Sequence, residues 1–173
     1  TEFAKIIDTE EKGKKIKKEL EQRVERIKSR KKEVAPRVVA IEWVNPFFTA
    51  GHWVPEMIEI SGGINMISKT GEHSQRMKMQ EIVNAKPEII ILMPCGFDVM
   101  RTKKEYEKFL KNDQEWNKLQ AVKKGNVFAV DANSFFSKPS IRTIEGIEIL
   151  AKIIHPEIFS DLSVVENAYM KLN

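Results

Sequence analysis

The stretch IEWVNPFFTAGHWVPEMIEISGG, residues 41–63, contains the features that decide the fold. Its first residue closes an apolar run, VVAI, which is typical of a strand that is covered on both faces. A loop rich in aromatic residues, Pro and Gly follows, and a short helix then begins near Pro55 and ends before Gly62. A strand that passes through a loop into a helix is the repeating unit of α/β proteins, whose ligands bind at the carboxyl edge of the sheet.

The same pattern returns twice. The runs EIIILM at residues 88–93 and VFAV at residues 127–130 are each followed by a loop of special residues and then by helical periodicity. We therefore predict an α/β fold: a Rossmann-like three-layer lobe with a mostly parallel sheet and right-handed crossovers. Within it, Thr102 with Glu105 predicts a capping box that starts a helix, and a short helix is expected from Ser163 to the C-terminus.

A long helix is predicted to precede this lobe, over residues 8–32, with Pro36 ending it. Its apolar residues form one narrow stripe, so only one side of the helix is expected to pack. At 1.5 Å per residue it spans roughly 36 Å, and its N-terminal half is expected to protrude. The stripe consists of Ile16, Leu20, Val24 and Ile27. The chain is accordingly divided into a helix at residues 1–35 and a lobe at residues 36–173.

Composition excludes several classes of protein. Of the 173 residues, 42% are hydrophobic and 31% charged, and no apolar run approaches the length of a membrane span. The net charge of +4 comes largely from residues 12–32, which hold eleven Lys or Arg against three Glu. Because no aromatic residue is interleaved with them, we expect a solvated helix face and no nucleic-acid partner. The single Cys95 excludes an internal disulfide.

Three loops, residues 43–53, 94–98 and 131–139, should meet at one edge, because each follows a parallel strand. Together they offer large aromatic side chains and a few polar ones, which suits a flat or bulky apolar ligand. The residues concerned are Trp43, Trp53, Phe97, Phe135, Phe136, Asn45, His52, Cys95, Asn133 and Ser134.

Signals for chemistry are weaker. The sequence has no phosphate-binding glycine loop and no serine-hydrolase motif. Cys95 and His52 could form a nucleophile–base pair at the shared edge, so a small α/β enzyme stays open as the alternative. The spacing of His52, His73 and His155 does not fit a metal site. We assign no catalytic residue and no metal ligand.

The segments EWVNPFFTAGHWVPEMIEISGG, PEIIILMPCGFD and VFAVDANSFFSKPSIRTIEGIEILAKIIHPE resemble the C-terminal lobe of cobalamin-type substrate-binding proteins of ABC importers. These are class III proteins, in which one helix connects two lobes that grip the ligand between them. The resemblance implies that residues 8–32 are the connecting helix and that the N-terminal lobe is absent from this chain. The exposed helix stripe of Ile16, Leu20 and Val24 leaves dimerisation of such a fragment open.

The resemblance also implies roles for individual residues. The ligand would be a corrinoid, or alternatively haem or a ferric siderophore, and the protein would carry no cofactor of its own and be extracytoplasmic. Ligand-facing positions would be Trp43, Asn45, Pro46, Gly51, His52, Trp53, Cys95, Gly96, Phe97, Phe135 and Phe136. Glu59, with Glu56 as second choice, would pair with Arg residues of the ABC transporter permease.

Overall fold

The computed structural model describes residue 2, residues 9–30 and residues 33–172. Helix α1 spans Glu10–Lys28, so it is shorter than predicted and ends well before Pro36; residues 8, 31 and 32 of the predicted helix lie outside the described residues. Burial rises along its stripe, from Ile16, which is 41% exposed, to Ile27, which is fully buried. Among the described residues of α1, those of its C-terminal half pack on the lobe, as expected from the length of the helix.

Charged contacts fasten this half of α1. The Arg23 guanidinium donates two hydrogen bonds to the Glu148 carboxylate, with Nε–Oε1 at 2.9 Å and Nη2–Oε2 at 2.6 Å. Arg26 and Arg30 both donate to Asp161, and the hydrogen bond from Arg30 holds the pKa of that carboxyl far below its usual range. Arg23 with Glu148 and Arg30 with Asp161 each form two parallel hydrogen bonds. This geometry fixes the orientation of the helix on the lobe as well as its position.

The sheet has six strands among the described residues, and its central pairs are parallel, as predicted. The strands are β1 Arg37–Val44, β2 Phe47–Thr49, β3 Ile64–Asn65, β4 Ile89–Leu92, β5 Val127–Val130 and β6 Tyr169–Leu172. Their order is β2-β1-β4-β5-β6, with β3 parallel to the beginning of β1. The outer strands β2 and β6 run antiparallel to their neighbours.

Helices cover both faces of the sheet and produce the predicted three layers. They are α2 Val54–Ile60, α3 Met79–Ala85, α4 Val99–Phe109, α5 Gln120–Lys123, α6 Ala132–Phe135 and α7 Thr143–Ile154. Consecutive strand residues enter different cores: Ile91 packs with α1, α2 and α7, and Ile90 packs with α3, α4 and α5. In the part of the chain that is described, no helix is both long and apolar enough to cross a bilayer.

Three local predictions were wrong. The loop after β1 contains a hairpin, because β2 folds back on Trp43 and Val44. Helix α4 begins at Val99, where the Asp98 carboxylate accepts the backbone N–H of Arg101 at 2.7 Å, and Thr102 lies inside the helix rather than at its cap. The C-terminal residues form β6 instead of a helix, because pairing with β5 satisfies their backbone groups.

Candidate functional site

A cavity of about 200 Å³ lies at the carboxyl edge of β1 and β4, where the sequence predicts a binding face. All three predicted loops contribute to its wall, since the parallel strands bring their carboxyl ends together. The lining residues are Glu42, Gly51, His52, Trp53, Val54, Met93, Cys95, Phe136 and Ser137.

The position of His52 is fixed through its backbone. Its N–H donates to the Glu72 carbonyl at 2.6 Å, and its carbonyl accepts from Gly71 N at 2.8 Å. Its φ of 58° lies in the left-handed region, which His tolerates better than most side chains. The preceding Gly51 touches the same loop, and a Cβ there would lie 2.6 Å from the Glu72 oxygen. The half-buried imidazole of His52 therefore extends from a turn whose backbone is held in place, and it lines the cavity wall.

Hydrogen bonds tie the three loops to one another. The Trp53 indole N–H donates to the Phe136 carbonyl at 3.0 Å, which joins the first loop to the third. The backbone N–H of Gly96 donates to Ser137 Oγ at 2.9 Å, which joins the second loop to the third. Trp53 remains half-buried, so part of its ring is available to a ligand. The cavity is thus built before any ligand arrives, as small-molecule sites usually are.

The polar groups of the cavity wall include a carboxylate, a thiol and an imidazole. Ser74 Oγ donates to the half-buried carboxylate of Glu42, and Cys95, whose thiol is exposed, donates its backbone N–H to the Glu42 carbonyl at 3.3 Å. No group of three or more His, Cys, Asp or Glu among the described residues could hold a metal ion. A bare ion would lack ligands here, whereas a chelate that brings its own ligands needs only one or two donors.

Several predicted site residues lie outside the cavity. Asn45 and Pro46 form the turn of the β1–β2 hairpin and border a separate pocket with Arg76 and Met77. Phe135 is a correction: its ring is 1% exposed and belongs to the core, because α6 turns it inward, and Phe136 reaches the cavity instead.

Trp43 and Phe97 pack against each other beside the cavity, with ring centroids 5.2 Å apart. Neither lines it, although Trp43 is 37% exposed at the same edge of the sheet. Gly96 is exposed and contributes its backbone N–H to the bond with Ser137. Of the predicted ligand-facing positions, Gly51, His52, Trp53, Cys95 and Phe136 are the ones that the structure brings together.

Sequence reasoning missed four residues of the wall, which are Glu42, Val54, Met93 and Ser137. Glu42 left a readable signal, since it is the charged residue in the otherwise apolar run of β1 after Arg37. No pattern in the sequence marks residues 72–74 as part of the site. They are brought to it by a long-range backbone pairing, in which Thr49 N donates to the Gln75 carbonyl at 2.9 Å. That pairing also brings the ring of His73 within 5.0 Å of the His52 ring.

The predicted docking residues lie on α2, which begins at the cavity and leads away from it. Glu56 and Glu59 are both exposed and stand three residues apart, hence on one side of the helix. Within the described residues, neither carboxylate has an ion-pair or hydrogen-bond partner. The helix ends at Ile60, and Gly62, with φ of 90°, turns the chain towards β3.

The geometry does not favour the enzyme alternative. Cys95 and His52 line the same cavity, but no hydrogen bond joins them in the part of the chain that the structure describes. The His52 ring instead contacts the rings of Trp53, at 5.6 Å, and His73. The structure thus places the two side chains at one cavity, and the described residues show no hydrogen bond between them.

Several solved structures share this fold. A TroA-like periplasmic binding protein, FepB from Veillonella parvula, matches 98% of this chain and 59% of its own, with a TM-score of 0.78 and 18% identity. IsdE from Staphylococcus aureus, complexed with heme, matches 90% of this chain and 62% of its own, with a TM-score of 0.77 and 19% identity. A periplasmic heme-binding protein from Pseudomonas aeruginosa matches 90% of this chain with a TM-score of 0.73 and 12% identity, over 57% of its own length.

Sequence comparison agrees with the fold. The high-affinity heme uptake system protein IsdE of Staphylococcus aureus is 24% identical over 111 residues, which cover 62% of this chain and 38% of that protein. The chain thus spans well under half the length of this curated relative. The family model described as "Periplasmic binding protein" matches residues 1–134, more than three quarters of the chain. The chain therefore belongs to the periplasmic binding protein family.

Proposed function

We propose that this chain is a ligand-binding lobe of an extracytoplasmic receptor that delivers an iron chelate of the haem type to an ABC importer. The observation that carries the proposal is the cavity at the carboxyl edge, which has aromatic walls, single donor groups and no cluster for a bare metal ion among the described residues. The family supports the coarse role, since its members are binding proteins and not enzymes. Because the family consists of binding proteins, we do not pursue the hypothesis of an enzyme that uses Cys95 and His52.

Haem is favoured over a corrinoid as the ligand. The resemblance of the sequence predicts a corrinoid first, with haem or a ferric siderophore as alternatives. The relatives from Staphylococcus aureus and Pseudomonas aeruginosa are a heme uptake protein and a heme-binding protein. Both ligands are flat macrocycles around a metal, so an aromatic wall suits either, and cyanocobalamin is the natural comparison ligand.

Binding would rest on flat contact and one donor. The exposed part of Trp53 and the edge of Phe136 would cover the macrocycle face, and each roughly 100 Å² of apolar surface buried contributes about 2.5 kcal/mol. His52 is the candidate axial ligand, because its rigid backbone fixes the imidazole at the wall. Neutral imidazole is a common ligand of haem iron, and a fixed ring loses little entropy on binding.

The proposed receptor also needs a second lobe and a permease partner. Helix α1 would connect this lobe to an N-terminal lobe and limit how far the two can pivot. Glu59, with Glu56 beside it, would pair with Arg residues of the permease and set the docking register. The exposed stripe around Ile16 would dimerise where no second lobe covers it.

Titration with Fe(III) protoporphyrin IX, followed by visible absorption, tests the proposal. The wild-type chain should shift the Soret band to a saturable end point, and His52→Ala should lose the spectral features of an imidazole-ligated iron. His73→Ala is the matched control, since this imidazole lies beside His52 but does not line the cavity. Cyanocobalamin should bind more weakly than haem. An unchanged Soret band with the wild type, or equal effects of the two His variants, would refute the assignment.

A further inference from the structure

A three-membered stack lies beside the cavity at the carboxyl edge. The Trp43 ring meets the edge of the Phe97 ring, with centroids 5.2 Å apart and planes at 65°. The guanidinium carbon of Arg101 lies 3.6 Å from the centroid of the same Phe97 ring. Phe97 is 5% exposed, whereas Trp43 is 37% exposed and Arg101 is exposed. A buried ring thus supports an aromatic surface on one side and a cation on the other.

The Arg101 guanidinium is held in place without being neutralised. Its backbone N–H donates to Asp98 at the first turn of α4, and its planar group rests on Phe97. Among the described residues, no carboxylate lies within ion-pair distance of it. Arg23 differs in this respect, because its guanidinium donates hydrogen bonds to both carboxylate oxygens of Glu148. Arg101 therefore presents a positioned set of donors whose partner is not on the lobe.

The stack and the cavity flank the same strand ends. Glu42 lines the cavity and Trp43 follows it directly in β1, where the pairing with β2 is irregular between residues 41 and 43. Cys95 lines the cavity and Phe97 comes two residues later, in the loop that Cys95 N fastens to the Glu42 carbonyl. A flat ligand seated against the cavity can therefore extend across the edge towards Trp43 and Arg101.

We propose that Arg101 binds a carboxylate substituent of the ligand, and that it makes this lobe selective for acidic chelates over neutral ones. This inference rests on the proposed function and adds the charge of the ligand to it. A planar guanidinium matches a carboxylate in two parallel hydrogen bonds, and stacking on Phe97 reduces the freedom lost when they form. Trp43 would cover the apolar part of the ligand next to that carboxylate.

The test compares Fe(III) protoporphyrin IX with its dimethyl ester, which has the same macrocycle but lacks both charges. Wild type should bind the acid about tenfold more tightly than the ester, as expected for one charge-assisted contact at an exposed site. Arg101→Gln should remove this preference by weakening the acid alone. Arg101→Lys should keep part of the preference, because the charge stays and the fork is lost. Lys104→Gln, the same charge change at an exposed site on α4, should keep it fully.

The outcomes separate the two proposals. Equal binding of acid and ester by the wild type, or an Arg101→Gln variant that weakens both alike or neither, would overturn the role of Arg101 while the receptor function stands. A wild type that binds neither porphyrin would refute the proposed function, and the inference would fall with it. Thermal unfolding of Arg101→Gln should show a folded protein with at most a small fall in Tm, since the cap at Asp98 involves only the backbone of residue 101 and, among the described residues, the stacking contact with Phe97 is the only one lost.

Discussion

Gly51→Ala should both destabilise the lobe and damage the cavity. A Cβ at residue 51 would lie 2.6 Å from the Glu72 oxygen, 2.6 Å from Ser74 N and 2.8 Å from the His73 carbonyl carbon. All three atoms belong to the backbone, so no change of rotamer can relieve the contact. The segment of residues 72–74 must move away, and the hydrogen bond from His52 N to the Glu72 carbonyl must lengthen or break.

The expected cost follows from these distances. Overpacking a buried site typically costs about 1–3 kcal/mol, and a contact with immobile backbone belongs in the middle or upper part of that range. We expect a loss of about 2 kcal/mol in the free energy of unfolding. For a domain of this size, that corresponds to a fall of about 4–8 °C in Tm. Displacement of His52 should weaken haem binding by about tenfold, a further 1.4 kcal/mol.

Gly63→Ala is the matched control. A Cβ at residue 63 would lie 2.8 Å from Val38 Cγ2 and 3.1 Å from Ile58 Cγ2, so it overpacks the core at the other end of α2. Calorimetry should show a lower Tm for both variants, and absorption titration should show weaker haem binding for Gly51→Ala alone. A Gly51→Ala variant as stable as the wild type, or equal loss of affinity in both variants, would refute the reasoning.

Two further predictions concern the attachment of α1. Glu148→Gln should lower the free energy of unfolding by about 1 kcal/mol in urea titration, because the half-buried Arg23 loses a forked partner; an unchanged midpoint would contradict this. For Asp161 the folded-state pKa lies below the unfolded one, so its contribution is present above about pH 4 and is lost as pH falls below that value. Asp161→Asn should therefore be less stable than wild type at pH 7, and the difference in stability should narrow steadily as pH falls from about 4 towards about 2. A difference that widens on acidification would contradict this prediction.

The strands that the sequence predicts are those whose apolar runs are continuous. VVAI and EIIILM enter both cores, so burial on two faces decides their structure whatever their partners are. The short outer strands β2 and β6 were missed because their structure depends on which neighbour they meet. Phe47 and Tyr169 pair antiparallel with Val44 and Val130, and nothing in the local pattern encodes that contact.

For the site, the sequence predicts which loops meet but not which side chain of a loop faces the cavity. The meeting of three loops at one edge follows from parallel strands, and it places His52, Trp53 and Cys95 correctly at one cavity. The choice between Phe135 and Phe136 does not follow, since both lie in one loop of the sequence. In the structure Phe136 lines the cavity and Phe135 does not, although both are buried in the same core and both pack against Gly146 of α7.

The most direct test of the account is paramagnetic mapping by NMR of the lobe with Fe(III) protoporphyrin IX, because the iron broadens only the amide resonances near it. We expect broadening of residues 42–54, 72–74, 93–97 and 133–138, with the amino edge around residues 86–89 and 118–126 unaffected. Broadening centred on the amino edge, or spread over the exposed face of α1, would show that the porphyrin binds elsewhere and would contradict the central claim.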